Sequence, residues 1–160
     1  MQKVYFVRHG ETVWNVENKI CGATESPLTA RGIQQARAIG REIRARRDAG
    51  ELQMDWILCS PLDRAKHTAE EIAAILELPL RVEPRLREQN FGIWESTPRD
   101  GEGFRHAKEH FIDSFGTGES MFRVAQRVYN LLDDVRADPA HTYLLVAHNG
   151  ISRIVESYFR

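Results

Sequence analysis

Short β-rich runs alternate with longer stretches of helical apolar spacing along almost the whole chain, and this alternation limits the folds open to it. Lys3 to Val7, Trp56 to Cys59, Leu80 with Val82, and Tyr143 to Ala147 read as buried strands. Between them, Ile33, Ala36, Gly40 and Ile43 share one helical face that opens at Thr29, whose hydroxyl suits an N-cap, and stops near Gly50. A second helix is expected from about Leu62 to Leu78, with Ala65, Ala69, Ile72 and Leu76 in line and Pro79 ending it. A third follows Glu119 through Met121, Ala125, Val128, Leu132 and Val135, and a last one starts near Gly150 and Ile151. Strands that alternate with helices imply an α/β fold, a three-layer α/β/α sandwich around a mostly parallel sheet. The stretch from Glu95 to Gly118 is less regular, with a helix expected around Phe104 to Phe111. It reads as an excursion over the functional edge of the sheet.

At 160 residues the chain suits one domain, 1–160, with enough length to bury a core. A formal net charge of −1 gives no general attraction to nucleic acid or membrane. No apolar run approaches the roughly 20 residues of a membrane helix, and no signal core precedes the first strand. Cys21 and Cys59 are too far apart for a close-spaced metal or redox pair, and free thiols in a cytoplasmic protein are expected. Nothing in the sequence sets an oligomeric state.

Open parallel sheets bind ligands beyond the carboxyl ends of their strands. Here those ends run into Arg8-His9-Gly10, Ser60-Pro61-Leu62-Asp63-Arg64, Arg85 to Glu88, and His148-Asn149-Gly150. Singly, each has a structural explanation, such as a turn glycine or a surface ion pair. Together they supply what phosphoryl transfer needs. Arginines neutralise and orient phosphate oxygens, a neutral imidazole attacks phosphorus, and a carboxylic acid protonates the departing oxygen. The convergence alone leaves open which histidine attacks.

The segments Val7-Arg8-His9-Gly10-Glu11-Thr12 and Trp14-Asn15 resemble the opening signature of the histidine phosphatase superfamily, the cofactor-dependent phosphoglycerate mutase-like proteins. The resemblance continues through Cys21-Gly22, Pro27-Leu28-Thr29, Gly32 and Gln35-Ala36. It resumes at Ser60-Pro61-Leu62, Arg64-Ala65, Thr68-Ala69 and Leu86 to Glu95, and closes at Val146 to Gly150. It implies that His9 is the nucleophile that becomes phosphohistidine, and that Arg8, Arg64, His148 and Asn15 hold the phosphoryl oxygens. It further implies that the Cys21 and Gly22 backbone lines the substrate and that Glu88 is the general acid and base, with Glu95 in reserve. No metal or other cofactor is implied.

Asn149 and Ser96 stand where many members have glycine. Glu88 to Glu119 spans 31 positions (119 − 88), too few for the long insertion of true mutases. Relatives continue past the last helix into a further strand, so a compact member and a truncated one both fit. The implied activity is hydrolysis of a small phosphorylated metabolite. The alternative is a phosphoglycerate mutase, primed by 2,3-bisphosphoglycerate. Two other readings compete: a non-catalytic module that binds phosphorylated ligands, and a zinc hydrolase built on the H-x-x-E-H pattern of His106 to His110. The basic run Arg41 to Arg47 reads as the wet face of a helix.

Overall fold

The computed structural model describes residues 3–160. Four strands, β1 (Val4–Arg8), β2 (Trp56–Cys59), β3 (Leu80–Val82) and β4 (Tyr143–Ala147), form one sheet in the order β1-β4-β2-β3, and every pairing is parallel. Side chains on successive strand residues point to opposite faces, so each strand feeds two cores. On one face Leu58, Leu145 and Ala147, with partly buried Val4 and Phe6, meet α5 (Met121–Arg136) and α6 (Asn149–Phe159). On the other, Ile57, Cys59, Leu144 and Val146, with Tyr5 and Val7, meet α2 (Ala30–Asp48) and α3 (Asp63–Leu76). The result is the expected α/β/α arrangement.

Local chemistry sets the element ends. Thr29 caps α2, its hydroxyl accepting from the Gly32 N–H at 3.0 Å, and Gly50 follows the helix in the left-handed conformation. Ser120 caps α5 by accepting from the Arg123 N–H. Three boundaries differ from expectation. The first strand starts at Val4 and runs through Arg8, because the backbone pairing with β4 continues to the residue before His9. The second long helix stops at Leu76, because Glu77 turns left-handed, two residues before the expected end at Leu78. In the excursion the helix is α4 (Glu102–Ala107), earlier and shorter than Phe104 to Phe111. Phe104 anchors it by packing edge-on against Phe91 and tilted against Trp94, which fixes where the helix can lie. A short helix, α1 (Val13–Val16), carries a reciprocal capping box between Thr12 and Asn15.

The excursion has a tight neck. Ile93 donates to the Phe115 carbonyl, Glu119 donates to the Asn90 carbonyl, and the turn runs through Gly92 at φ 53°. A Cβ on Gly92 would lie 2.1 Å from the Phe115 oxygen, so only glycine lets the two chains approach this closely. Backbone bonds Ile20 to Thr97, Ser96 to Ile20 and Arg99 to Asn18 stitch the start of the excursion to the loop after α1.

The cores predict a contrast. Leu145→Ala, fully buried in the middle strand, should cost about 2–5 kcal/mol of unfolding free energy in urea titration. Ile112→Ala, 85% exposed in the excursion, should change it by less than about 0.5 kcal/mol.

Candidate active site

The sheet register assembles the site. Arg8 pairs with Ala147, and the His9 N–H donates to the Ala147 carbonyl at 3.0 Å, so His9 and His148 leave adjacent strands side by side. Their rings meet edge-on with centroids 5.2 Å apart. On the other side of β4, Ser60 donates its N–H to Val146, and its hydroxyl lies 2.7 Å from His148 Nε2. Two residues after Leu62, Arg64 enters at the first turn of α3, 1% exposed. From β3, a 3-10 turn at Pro84–Leu86 carries the chain back towards the strand ends and delivers Glu88.

Each ring has a defined setting. His9 Nδ1 lies 2.7 Å from the Gly10 carbonyl oxygen, which can only accept, so Nδ1 carries the proton and Nε2 keeps a free lone pair. Gly10 is held in turn by its N–H donating to Thr68 Oγ1. Burial lowers the His9 pKa to about 3, with Arg64, Arg8 and Arg99 pushing the same way against the Gly10 hydrogen bond. Burial, then Arg64, His9 and other cations, also hold His148 well below the ordinary histidine range. Both imidazoles are therefore neutral near pH 7.

Arg64 donates to the carbonyls of Gly22 at 2.6 Å and Thr24 at 2.8 Å, and more weakly to that of Cys21. Its Nε and the Nδ1 of His148 are buried without a hydrogen-bond partner among the described residues. Such atoms call for a ligand oxygen or another polar partner. Arg8, His9, Cys21 and Glu88 line one cavity of about 220 Å³, whereas Arg64 and His148 are buried outside its wall, His148 meeting His9 edge-on.

Glu88 is 8% exposed and accepts from the N–H groups of Gln89 at 3.0 Å and Gly150 at 3.3 Å. Burial raises its pKa against those two hydrogen bonds. Gly150 is required there, since a Cβ would stand 2.5 Å from Glu88 Oε1. Asn15 reaches the adjoining hollow with Arg8 and His9, but its amide oxygen accepts from Thr12 N–H, which leaves its NH₂ as the remaining donor group.

Two sequence expectations change. Cys21 lines the cavity, whereas the Gly22 N–H is bonded to Glu95 and its carbonyl to Arg64, so neither Gly22 backbone group is free to line a substrate. Glu95, the reserve acid, is absent from the cavity wall. Its carboxylate accepts from Gly22 N–H, Ala23 N–H, Thr24 Oγ1 and Phe91 N–H, clamping the loop that carries the carbonyls facing Arg64. The glycine-bearing loop before Pro27 is visible in the sequence, but nothing there marks Glu95, some seventy residues on, as its clamp. Arg99, Lys108 and Arg153 also line the cavity, and no shared spacing in the sequence marks them.

His106 and His110 do not share a helix, because α4 ends at Ala107, and both side chains are exposed. Among the described residues no group of three or more His, Cys, Asp or Glu side chains is placed to hold a metal ion. No described helix is long and apolar enough to cross a membrane. The basic run on α2 is largely engaged, Arg46 with Glu42 and Arg47 with the Leu76 carbonyl. Cys21 and Cys59 are free thiols.

The clamp gives a prediction. Glu95→Ala leaves four donors without their acceptor and should lower unfolding free energy by about 2–4 kcal/mol, read from urea unfolding. Because Arg64 rests on the same loop, ligand affinity at the site should fall with it. Unchanged stability would mean that the loop holds without the clamp.

Comparison with known proteins agrees with this geometry. The model of the histidine phosphatase superfamily (branch 1) matches residues 4–160. A protein from Erwinia tasmaniensis named "Probable phosphoglycerate mutase GpmB" is 35% identical over 159 residues, which cover 95% of this chain and 71% of that protein. The alpha-ribazole phosphatase from Shigella flexneri superposes with a TM-score of 0.80 at 29% identity, covering 96% of this chain and 77% of the other. Mycobacterial glucosyl-3-phosphoglycerate phosphatase in complex with VO3 gives 0.81 at 30% identity, covering 95% and 78%. With a family match from Val4 to the last residue and the paired histidines and arginine at the strand ends, the chain belongs to the histidine phosphatase superfamily.

Proposed function

We propose that the chain hydrolyses small phosphomonoesters through a phosphohistidine at His9. The observation that carries this reading is the neutral His9 ring with its Nε2 free, in one cavity with a buried Glu88 whose raised pKa favours the protonated acid. The phosphoryl oxygens are held by Arg8, Arg64 and His148, with the Asn15 NH₂ as a further donor. Ser60 Oγ accepts from the Leu62 N–H and lies 2.7 Å from His148 Nε2; with Ser60 as the donor there, His148 carries its proton on Nδ1, the buried atom otherwise without a partner. The arginines and His148 withdraw negative charge as His9 Nε2 approaches. The P–N bond forms as the P–O bond to the leaving group breaks, and Glu88 gives its proton to that oxygen. Glu88, now a carboxylate, takes a proton from water. The water oxygen attacks phosphorus, the P–N bond breaks, and inorganic phosphate leaves.

The phosphatase names of the structural neighbours support hydrolysis, and the short excursion supports access of water to the intermediate. The mutase name of the sequence relatives favours the second reading, in which the phosphoryl group returns to a phosphoglycerate after priming by 2,3-bisphosphoglycerate. One assay separates them. Release of inorganic phosphate from several monoesters, faster than exchange of 3- and 2-phosphoglycerate and insensitive to a chelator, supports the phosphatase. Rapid exchange with little free phosphate supports the mutase.

Two variants test the named roles. His9→Ala should abolish an acid-labile, alkali-stable phosphoryl label and lower kcat by at least about 10³-fold while the fold persists. His9 should contribute no acid limb to the pH profile above about pH 4, once the ionisation of the substrate is allowed for, because its pKa of about 3 keeps the ring unprotonated there. The alkaline limb should track loss of the Glu88 proton and vanish in Glu88→Gln, which slows alkyl esters far more than nitrophenyl esters while phosphorylation limits the rate. Equal losses on both ester types in that regime would remove Glu88 from the acid role.

A further inference from the structure

Thr68 on α3 is a polar side chain with no exposure, and both of its hydrogen-bond partners are backbone groups. Chemistry settles the direction of each bond. The hydroxyl lies 2.8 Å from the Arg64 carbonyl oxygen, which can only accept, so the hydroxyl proton is committed there. Its oxygen is left as an acceptor, and the Gly10 N–H donates to it at 3.1 Å from 58 positions away in the chain. One buried hydroxyl thus joins the backbone of Arg64 to the backbone beside His9.

The Gly10 end of this bridge bears on the ring. Gly10 is buried, and Thr68 Oγ1 is the one acceptor that its N–H has among the described residues. The Gly10 carbonyl accepts from His9 Nδ1 at 2.7 Å, which is what leaves Nε2 free. A Cβ on Gly10 would stand 2.3 Å from the Gly32 carbonyl oxygen, so the start of α2 confines the loop as well. Gly10 is therefore fixed to α2 by contact and to α3 by hydrogen bond. The following peptide is held by Gln35 Oε1, which accepts from the Glu11 N–H at 2.8 Å, but this bond is exposed and water can replace it. The bond to Thr68 has no such substitute. Valine at that position would fill the same space with a methyl group and leave a buried N–H unpaired, which the loop relieves by turning. As Gly10 turns, its carbonyl leaves Nδ1.

Resting on the phosphatase reading, we propose that Thr68 is a positioning residue for phosphoryl transfer. Through Gly10 it holds the His9 ring in the Nδ1–H form, with Nε2 aimed at phosphorus and in fixed relation to Arg64. Placement of this kind matters steeply, since an error of about 1 Å in a reacting group can cost about 10²-fold in rate. The Arg64 guanidinium is held separately, by the carbonyls of Cys21, Gly22 and Thr24, so its grip on phosphate does not need the Thr68 hydroxyl.

The test compares Thr68→Val, which removes the hydroxyl at nearly constant shape, with Thr68→Ser, which keeps it. Three quantities are read on folded protein. They are kcat/KM for phenyl phosphate, calorimetric affinity for unreactive benzylphosphonate, and the His9 tautomer from ring-nitrogen NMR without ligand, its signals identified by their loss in His9→Ala. Thr68→Val should lower kcat/KM by about 10- to 100-fold, keep phosphonate affinity within about threefold, and turn a single Nδ1–H ring into a mixture of tautomers. Thr68→Ser should stay within about threefold of the parent in rate and affinity and keep the single tautomer. An undiminished rate in Thr68→Val, or a ring that keeps one tautomer, overturns the proposal. Equal losses in the two variants do the same. So does a fall in phosphonate affinity that matches the fall in kcat/KM, because Thr68 would then serve Arg64 alone. Where Thr68→Val does not fold, Thr68→Cys takes its place, its sulfur being a weak acceptor. If the parent turns over neither phenyl nor nitrophenyl phosphate, the phosphatase reading falls, and the tautomer, read without substrate, still decides whether Thr68 holds the ring.

Discussion

Parallel pairing of β4 with a neighbour on each side is the constraint on which the site depends. With Arg8 opposite Ala147 and Cys59 opposite Val146, the residues just past each strand emerge at one level. His9, Ser60 and His148 are therefore neighbours before any side chain has made a contact. A slip of one residue in either pairing would turn alternate side chains to the other face and send Leu144 and Leu145 to the wrong cores. The buried side chains that stabilise the sheet are thus also the ones that fix the spacing of the two rings. Stability and site geometry share a cause.

Burial acts on a carboxyl and an imidazole in opposite directions, and the cavity contains one of each. Removing water disfavours charge, which lowers histidine and raises glutamate. Burial thus moves both groups towards their neutral forms in the same cavity, the His9 pKa down to about 3 and that of Glu88 upwards. Arg64 remains as buried charge, accommodated by three backbone carbonyls of one loop, and Glu95 keeps that loop in place. The loop therefore couples a buried cation to a carboxylate without direct contact between them.

Much of this could be read from the residues. The strands and the four long helices are legible in apolar periodicity. His9, Arg64, Glu88 and His148 stand out because a parallel sheet gathers at one edge the residues just beyond its strand ends. The features that escaped were set by contacts distant in sequence. α1 has only four residues, too few for a periodic signal, and depends on its Thr12–Asn15 cap. α4 is placed by Phe104 against Phe91 and Trp94 rather than by its own pattern. Glu95 resembles a site carboxylate because it sits near Glu88 in the chain, yet its partners lie across the fold. Arg99, Lys108 and Arg153 come from three elements with no common spacing, so only the folded chain reveals them as a group.

The neck beneath the excursion separates the part that must be constant from the part that is free to vary. Asn90, Gly92 and Ile93 meet Phe115, Gly118 and Glu119 through backbone contacts that need no side chain of the intervening segment. Glu88 lies on the fixed side of that clasp, while Phe104 and Lys108 lie beyond it. Loop-closure cost grows only slowly with length, by about 0.6 kcal/mol for each doubling. The excursion is in this sense an interchangeable cassette: a graft of different length or composition between Thr97 and Ser114 would enter a socket already formed. New recognition surfaces could then evolve over an unaltered set of strand-end residues.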